Sequence, residues 1–277
     1  MSLLGVASMN DLSKNFEVIW HWLLAYALVL SRPTAMLAIN PVFTRAQITG
    51  LIRGAVATAL ALPMVPIVAK ALPQGRESVV DLIFLGVKEA FIGAALGLIV
   101  GVPLWALDVA GDILDAQRGA TQGRLNDPVG FEDVSISGTL LIITGITLFV
   151  ATGGLDTFAQ LLYGSWMLWR PLGALPALDE RTPTLLLGLL DQVTRQGLLL
   201  AVPLVIAMFL ADAALMVVGR MAPQLRIDDL ALSLRNIVFF VILPLYALFL
   251  IFYIRRDLGG LSDTLTMLRA MIRPVAP

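Results

Sequence analysis

The sequence predicts an all-α integral membrane protein, and three observations predict it. Of 277 residues, 58% are hydrophobic and only 14% charged, with a mean hydropathy of +0.87; a soluble domain is about a quarter charged. The apolar residues gather in blocks of roughly membrane-spanning length. One stretch, residues 107–133 (LDVAGDILDAQRGATQGRLNDPVGFED), interrupts them with eight charges: Asp108, Asp112, Asp115, Arg118, Arg124, Asp127, Glu132 and Asp133.

Charge and cysteine usage narrow the function classes. A formal net charge of −1 and the absence of cysteine argue against nucleic acid as a partner and exclude disulfides and thiolate metal sites. The 19 basic residues are 16 Arg and three Lys. Arginine suits bidentate pairing inside protein. Residues 1–15 lack a short apolar core leading to an Ala-x-Ala site, so the first apolar block is expected to be a retained span.

The elements follow in order. Residues 16–30 form the first apolar segment, with Trp20 and Trp22 as interfacial anchors; His21 between them reads as an interfacial or packed imidazole. Ser31-Arg32-Pro33 bounds it, and Pro33, Asn40 and Pro41 are expected to break the helix. Residues 48–69 hold Arg53, Pro63 and Pro66, the prolines predicting a kink or stop. Residues 82–107 contain Lys88 and Glu89 side by side. Helical neighbours point about 100° apart, so each is expected to find a partner elsewhere. Gly86, Gly93, Gly97 and Gly101 make a small-residue face for close helix packing, and Pro103 is expected to bend or end the helix. Residues 134–150 and 155–169, separated by a glycine break, read as a helical hairpin.

Residues 185–218 could form a helix of about 50 Å, longer than a bilayer core of roughly 30 Å. It carries Asp191 and Arg195 as an i,i+4 pair, Pro203 and Asp212. A second polar connection, residues 219–236, includes Pro223, Gln224, Arg235 and Asn236, and the span 237–254 precedes a tail, 255–277. Four Arg in that tail against one Lys at the N-terminus favour a cytoplasmic C-terminus. The broken, charge-bearing spans suggest helices that pack on other protein, where freed backbone groups can be satisfied.

Within the polar stretch, Asp108, Asp112 and Asp115 stand at i, i+4, i+7, so on a continued helix they share one face. Arg118 follows Asp115 at i+3, and Gly119 would end the helix as a C′ glycine. Clustered carboxylates can hold a cation, yet on a helix leaving a membrane a hydrated or Arg-paired face is commoner, so no metal or cofactor site is expected. The chain has no His-Glu-x-x-His, no phosphate-binding loop and no Gly-x-Ser-x-Gly elbow. Catalytic residues are therefore not assigned.

Four short motifs in fixed order carry a family resemblance: GDILDAQRGAT (Gly111–Thr121), Asp127-Pro128, APQL (Ala222–Leu225) and SLRN (Ser233–Asn236). Together, over roughly residues 16–255, they resemble the T component of the type III secretion export apparatus, the family that includes flagellar FliR. Gln117-Arg118-Gly119 resembles the injectisome branch more than the flagellar one.

The resemblance implies a single helical export-apparatus domain, residues 1–277, in the bacterial inner membrane, whose bent hairpins pack into a hetero-oligomeric gate with R, S and U components, partly raised above the membrane plane. It implies a non-enzymatic subunit for virulence-type secretion that passes unfolded proteins, with lipid as its other neighbour and no nucleic acid. It also implies that residues 111–128 form a gate or plug element, including Gly111, Asp112, Asp115, Gln117, Arg118, Gly119, Ala120, Thr121, Asp127 and Pro128. Lys88, Glu89, Asp191, Arg195 and Asp212 would then make inter-helix or inter-subunit polar contacts. The competing reading, an ion-coupled secondary transporter using Asp108, Asp112, Asp115 or Glu89, predicts paired repeats with corresponding broken helices, and none is evident.

Overall fold

A computed structural model describes residues 3–46, 48–73, 78–119, 135–173, 182–221 and 227–271. Among these residues the elements are helical throughout: α1 (Leu3–Ile39), α2 (Pro41–Thr44), α3 (Gly50–Ala61), a 3₁₀ turn (Leu62–Met64), α4 (Val65–Ala71), α5 (Val79–Arg118), α6 (Ile136–Ala151), α7 (Gly154–Leu168), α8 (Thr182–Met221) and α9 (Ile227–Met271). Five helical stretches are long and apolar enough to cross a membrane, or six if α6 and α7 together count as one. The chain is an all-α, multi-pass membrane protein.

The helices fall into two compact units. The first takes Met1–Val100, Asp156–Arg181 and Leu265–Pro277; the second takes Gly101–Leu155 and Thr182–Thr264. In the first, α1 packs on α3 and α4, burying Ala25, Leu28, Val29, Met36 and Leu37 together with Ala57, Ala61, Val65 and Val68. His21 Nε2 lies 2.7 Å from the Ala69 carbonyl, and Tyr26 and Thr58 share a 2.8 Å hydroxyl bond. The histidine is thus packed against a helix end, as expected of a lone imidazole.

Prolines behave in two ways. Asn40-Pro41 does end α1: Asn40 is extended (φ −73°, ψ 128°) and its side chain caps α2 by accepting from Val42 N. Pro63 and Pro66 turn α3 into the 3₁₀ segment and then α4. Pro33, Pro103, Pro203 and Pro244, however, lie inside continuous helices. Each removes one i→i−4 bond, but residues buried on either side hold the helix across the gap. For Pro33 these are Leu28 and Val29 before, and Met36 and Leu37 after.

The expected glycine face on α5 is present. A Cβ on Gly93 would collide with the Arg32 carbonyl, and one on Gly97 would stand 2.5 Å from the Met36 carbonyl. The backbones of α1 and α5 therefore meet with no room for a side chain, the arrangement that small residues permit between membrane helices.

The second unit buries Leu104, Leu107, Ala110 and Leu114 of α5, Leu141 and Ile142 of α6, Leu200 and Leu204 of α8, and Phe239 and Leu250 of α9. At 40 residues each, α5 and α8 are about 60 Å long, twice a hydrocarbon core of roughly 30 Å.

Candidate functional site

Two buried polar clusters stand out, one in each unit. In the first, Lys88 and Glu89 are 4% and 0% exposed and Arg32 is 0% exposed. Glu89 receives a bidentate fork from Arg32, Nε to Oε2 at 2.8 Å and Nη2 to Oε1 at 2.9 Å. Arg32 also donates to Ser165 Oγ at 2.8 Å and to the Trp169 carbonyl at 3.0 Å, and lies over the Trp166 ring at 5.7 Å. Its planar, many-donor head suits this arrangement.

Lys88 is 3.4 Å from Glu89 but uses its three donors on the carbonyls of Arg170, Pro171 and Gly173, at 3.2, 2.7 and 2.9 Å. Those carbonyls, with that of Trp169, follow the last turn of α7. A helix C-terminus carries partial negative charge, and the two cations sit just beyond that end of α7 on the carbonyls that follow it. The expected separate partners for Lys88 and Glu89 are found. Arg32, 57 residues from Glu89, is the partner that sequence reasoning placed merely at a segment end.

The second cluster lies where α5 ends. Arg118 is in the last turn and Gly119 follows at φ 72°, so the C′ glycine expected from sequence is observed. Of the three aspartates on this face, Asp115 is fully buried, whereas Asp112 is exposed and Asp108 half-buried. No metal-ligating group of three or more carboxylates or histidines occurs among the described residues.

Asp115 is ion-paired with Arg118. Its second oxygen accepts from Ser135 Oγ at 2.8 Å and Ser137 N at 3.1 Å. Ser135 caps α6, accepting from Gly138 N at 2.8 Å, so the carboxylate sits at the positive end of that helix. Arg118 donates to Ser137 Oγ at 2.7 Å, and its guanidinium lies 4.2 Å from the Phe239 ring centre on α9, a cation–π contact. Gly111 explains the close docking: a Cβ there would overlap Cα and N of Gly138 and stand 2.6 Å from Ser137 C.

A third contact joins this end of α5 to α8 and α9. Arg235 Nε bonds both Asp212 oxygens at 2.7 and 3.0 Å, and Nη1 donates to the Gln117 carbonyl at 3.2 Å. Arg235 and Asn236 are inside α9, not in a connection; the helix begins at Ile227, because residues around SLRN are apolar enough to continue it. Asn236 Nδ2 bonds the Leu232 carbonyl. Likewise Gly111, Asp112, Asp115, Gln117 and Arg118 belong to α5 itself. Ala120, Thr121, Asp127, Pro128, Pro223 and Gln224 lie outside the described residues.

Asp191 and Arg195 are exposed on α8, lining a shallow cleft with Gly188, Gln192, Gln196 and Leu199. Among the described residues they form no ion pair with each other. An exposed i,i+4 pair gains only about 0.3–0.5 kcal/mol, too little to fix two flexible side chains. The expectation of an intrahelical bridge there is therefore corrected.

The site thus belongs to a multi-pass helical membrane protein whose charges lock helix ends to one another. Residues 23–260 match the family model described as bacterial export proteins, family 1. The chain is 31% identical to Yop proteins translocation protein T of Yersinia pestis over 91% of its own length and 97% of that protein's. It is 29% identical to the surface presentation of antigens protein SpaR of Salmonella typhimurium, covering 83% and 85% of the two chains, and 25% identical to the flagellar biosynthetic protein FliR of Bacillus subtilis, covering 90% and 95%.

The chain belongs to family 1 of the bacterial export proteins, the family of the type III secretion T components and FliR, and is a component of such an export apparatus. The Yersinia and Salmonella proteins named here match at higher identity than this flagellar one. The secondary-transporter reading has no support from these relatives.

Proposed function

We propose that the chain is a non-enzymatic pore and gate subunit of the export apparatus in the bacterial inner membrane. It assembles with the R, S and U components and lets unfolded proteins pass, and residues 120–127 shape the closed gate. The observation that carries this reading is the buried Asp115–Arg118–Ser135–Ser137 cluster. It ties the end of α5 to the start of α6, fixing the base of the polar segment between two apolar helices. Buried charges in apolar helices are costly and are kept where they do something specific, and no bound cation is needed to explain this one. The whole chain acts as one export-apparatus subunit, with Asp191, Arg195 and Gln192 on α8 available to neighbouring subunits.

Deleting Ala120–Leu125 is expected to leave the complex assembled and to make the membrane leak small ions. Dye or pH-gradient decay in cells carrying the complex reads this out. A deletion variant as ion-tight as the wild type would show that the segment does not close the pore.

A further inference from the structure

We propose that the N-terminal part of α8 is a docking face for a membrane helix of another apparatus subunit, one that brings a basic side chain to Asp191 and an acidic one to Arg195, an inference that rests on the subunit reading above.

Between Leu187 and Arg195 only Leu189 and Val193 are as much as half-buried, and every other residue is exposed. The two charges stand among exposed leucines, Leu187, Leu190, Leu198 and Leu199, in a stretch long and apolar enough to cross a membrane. An ionised side chain facing hydrocarbon is costly and is kept where an opposite charge or an aqueous cavity meets it. Glu89, Asp115 and Asp212 have such a partner inside the chain. Among the described residues Asp191 and Arg195 have none.

Two further observations favour a helix over a lipid headgroup as the occupant. Gly188, Asp191, Gln192, Arg195 and Gln196 line one cleft, and their spacing of i, i+3, i+4, i+7 and i+8 puts them on one helix face. A Cβ on Gly188 meets nothing within 4 Å, whereas one on Gly197, the next glycine of α8, would stand 2.7 Å from Val109 of the same chain. A bare glycine beside polar side chains lets a second helix backbone approach closely. Gln196 Oε1 is buried with no hydrogen-bond partner among the described residues, an acceptor that a donor on the docked helix would satisfy. Asp191 and Arg195 are about 6 Å apart along the axis, four residues at 1.5 Å each, so the facing helix carries its cation and carboxylate about one turn apart as well.

The test uses the full chain in cells expressing the whole apparatus. Leu199 lines the same cleft without bearing its charge, and p-benzoylphenylalanine replaces it there as a photo-crosslinker. Illumination is expected to join this position to one other apparatus subunit, at an apolar helix with a basic and an acidic residue one turn apart, as mapped by mass spectrometry. The swap Asp191→Arg/Arg195→Asp keeps the net charge and alters only exposed positions. It is expected to lower the adduct and the co-purified amount of that subunit about ten-fold, and reversing the two facing charges on that subunit is expected to restore both. An adduct undiminished by the swap overturns the proposal, as does an adduct only with lipid, with an exported protein or with the chain's own residues.

Should the swapped chain fail to reach the membrane, the adduct decides alone: one mapped to a charge-paired helix of another subunit upholds the docking face, and any other product, or none, overturns it. Subunits that co-purify with the wild-type chain while position 199 captures none of them remove only the docking face. A wild-type chain with which no subunit co-purifies removes the subunit reading as well.

Discussion

Replacing Glu89 with leucine is expected to lower the free energy of unfolding by about 3–5 kcal/mol, the cost of stranding a buried charge when its partner is removed. Arg32 is wholly buried, and half of its hydrogen bonds go to Glu89. Without the carboxylate it retains only Ser165 Oγ and the Trp169 carbonyl, two neutral acceptors, while Lys88 stands nearby with the same sign. Denaturant titration of the purified chain in detergent micelles gives the free energy, and the amount of chain recovered from membranes should fall with it.

The double variant Arg32→Leu/Glu89→Leu is expected to cost less than the sum of the single changes, because it removes both charges together. A loss for Glu89→Leu of only about 0–1 kcal/mol, typical of an exposed pair, would mean that the cluster is hydrated.

The second large effect is expected at Gly111. Gly111→Val places side-chain atoms where Gly138 Cα and N and the Ser137 carbonyl carbon already stand. Backbone cannot rotate away as a side-chain tip can, so α6 must retreat, at about 1–3 kcal/mol or more for overpacking a close interface. The retreat also separates Asp115 from Ser135 and Ser137, so the variant is expected to leak in whatever complex still assembles. Gly54→Ala is the control: a Cβ there meets nothing within 4 Å, and the better helix former is expected to be neutral or to stabilise α3 by up to about 1 kcal/mol. Equal losses at Gly54 and Gly111 in the same unfolding titration would refute the close-packing account of Gly111.

Much of this architecture is legible in the sequence because composition and local spacing control it. Apolar blocks announce the helices, Gly119 marks the end of α5, and the three-residue spacing of Asp115 and Arg118 announces their pairing. What is missed depends on contacts between residues far apart in the chain. Nothing near Glu89 points to Arg32, although a cation inside an apolar helix is itself a signal that a carboxylate must face it. Asp112 and Asp115 look alike in the sequence, but only Asp115 faces Ser135 and Ser137.

Proline gives the wrong boundary at Pro33, because its local cost is outweighed where buried neighbours hold both sides of the helix. The polar look of SLRN suggested a connection. There Arg235 is instead drawn to Asp212 and the end of α5, and the helix continues through it. Ser135 is readable as an N-cap ahead of an apolar run, a signal that locates the start of α6 against which Asp115 is held.

The central claim is that this chain works only as part of a larger export assembly. It is tested most directly by purifying the tagged subunit in mild detergent from cells expressing the whole apparatus and measuring the intact mass. The particle is expected to be much heavier than the chain's own 29.8 kDa, with other apparatus subunits identified in it in fixed ratio. A stable, folded particle of single-chain mass, with those subunits present in the cell but absent from it, would show that the chain does not need the assembly.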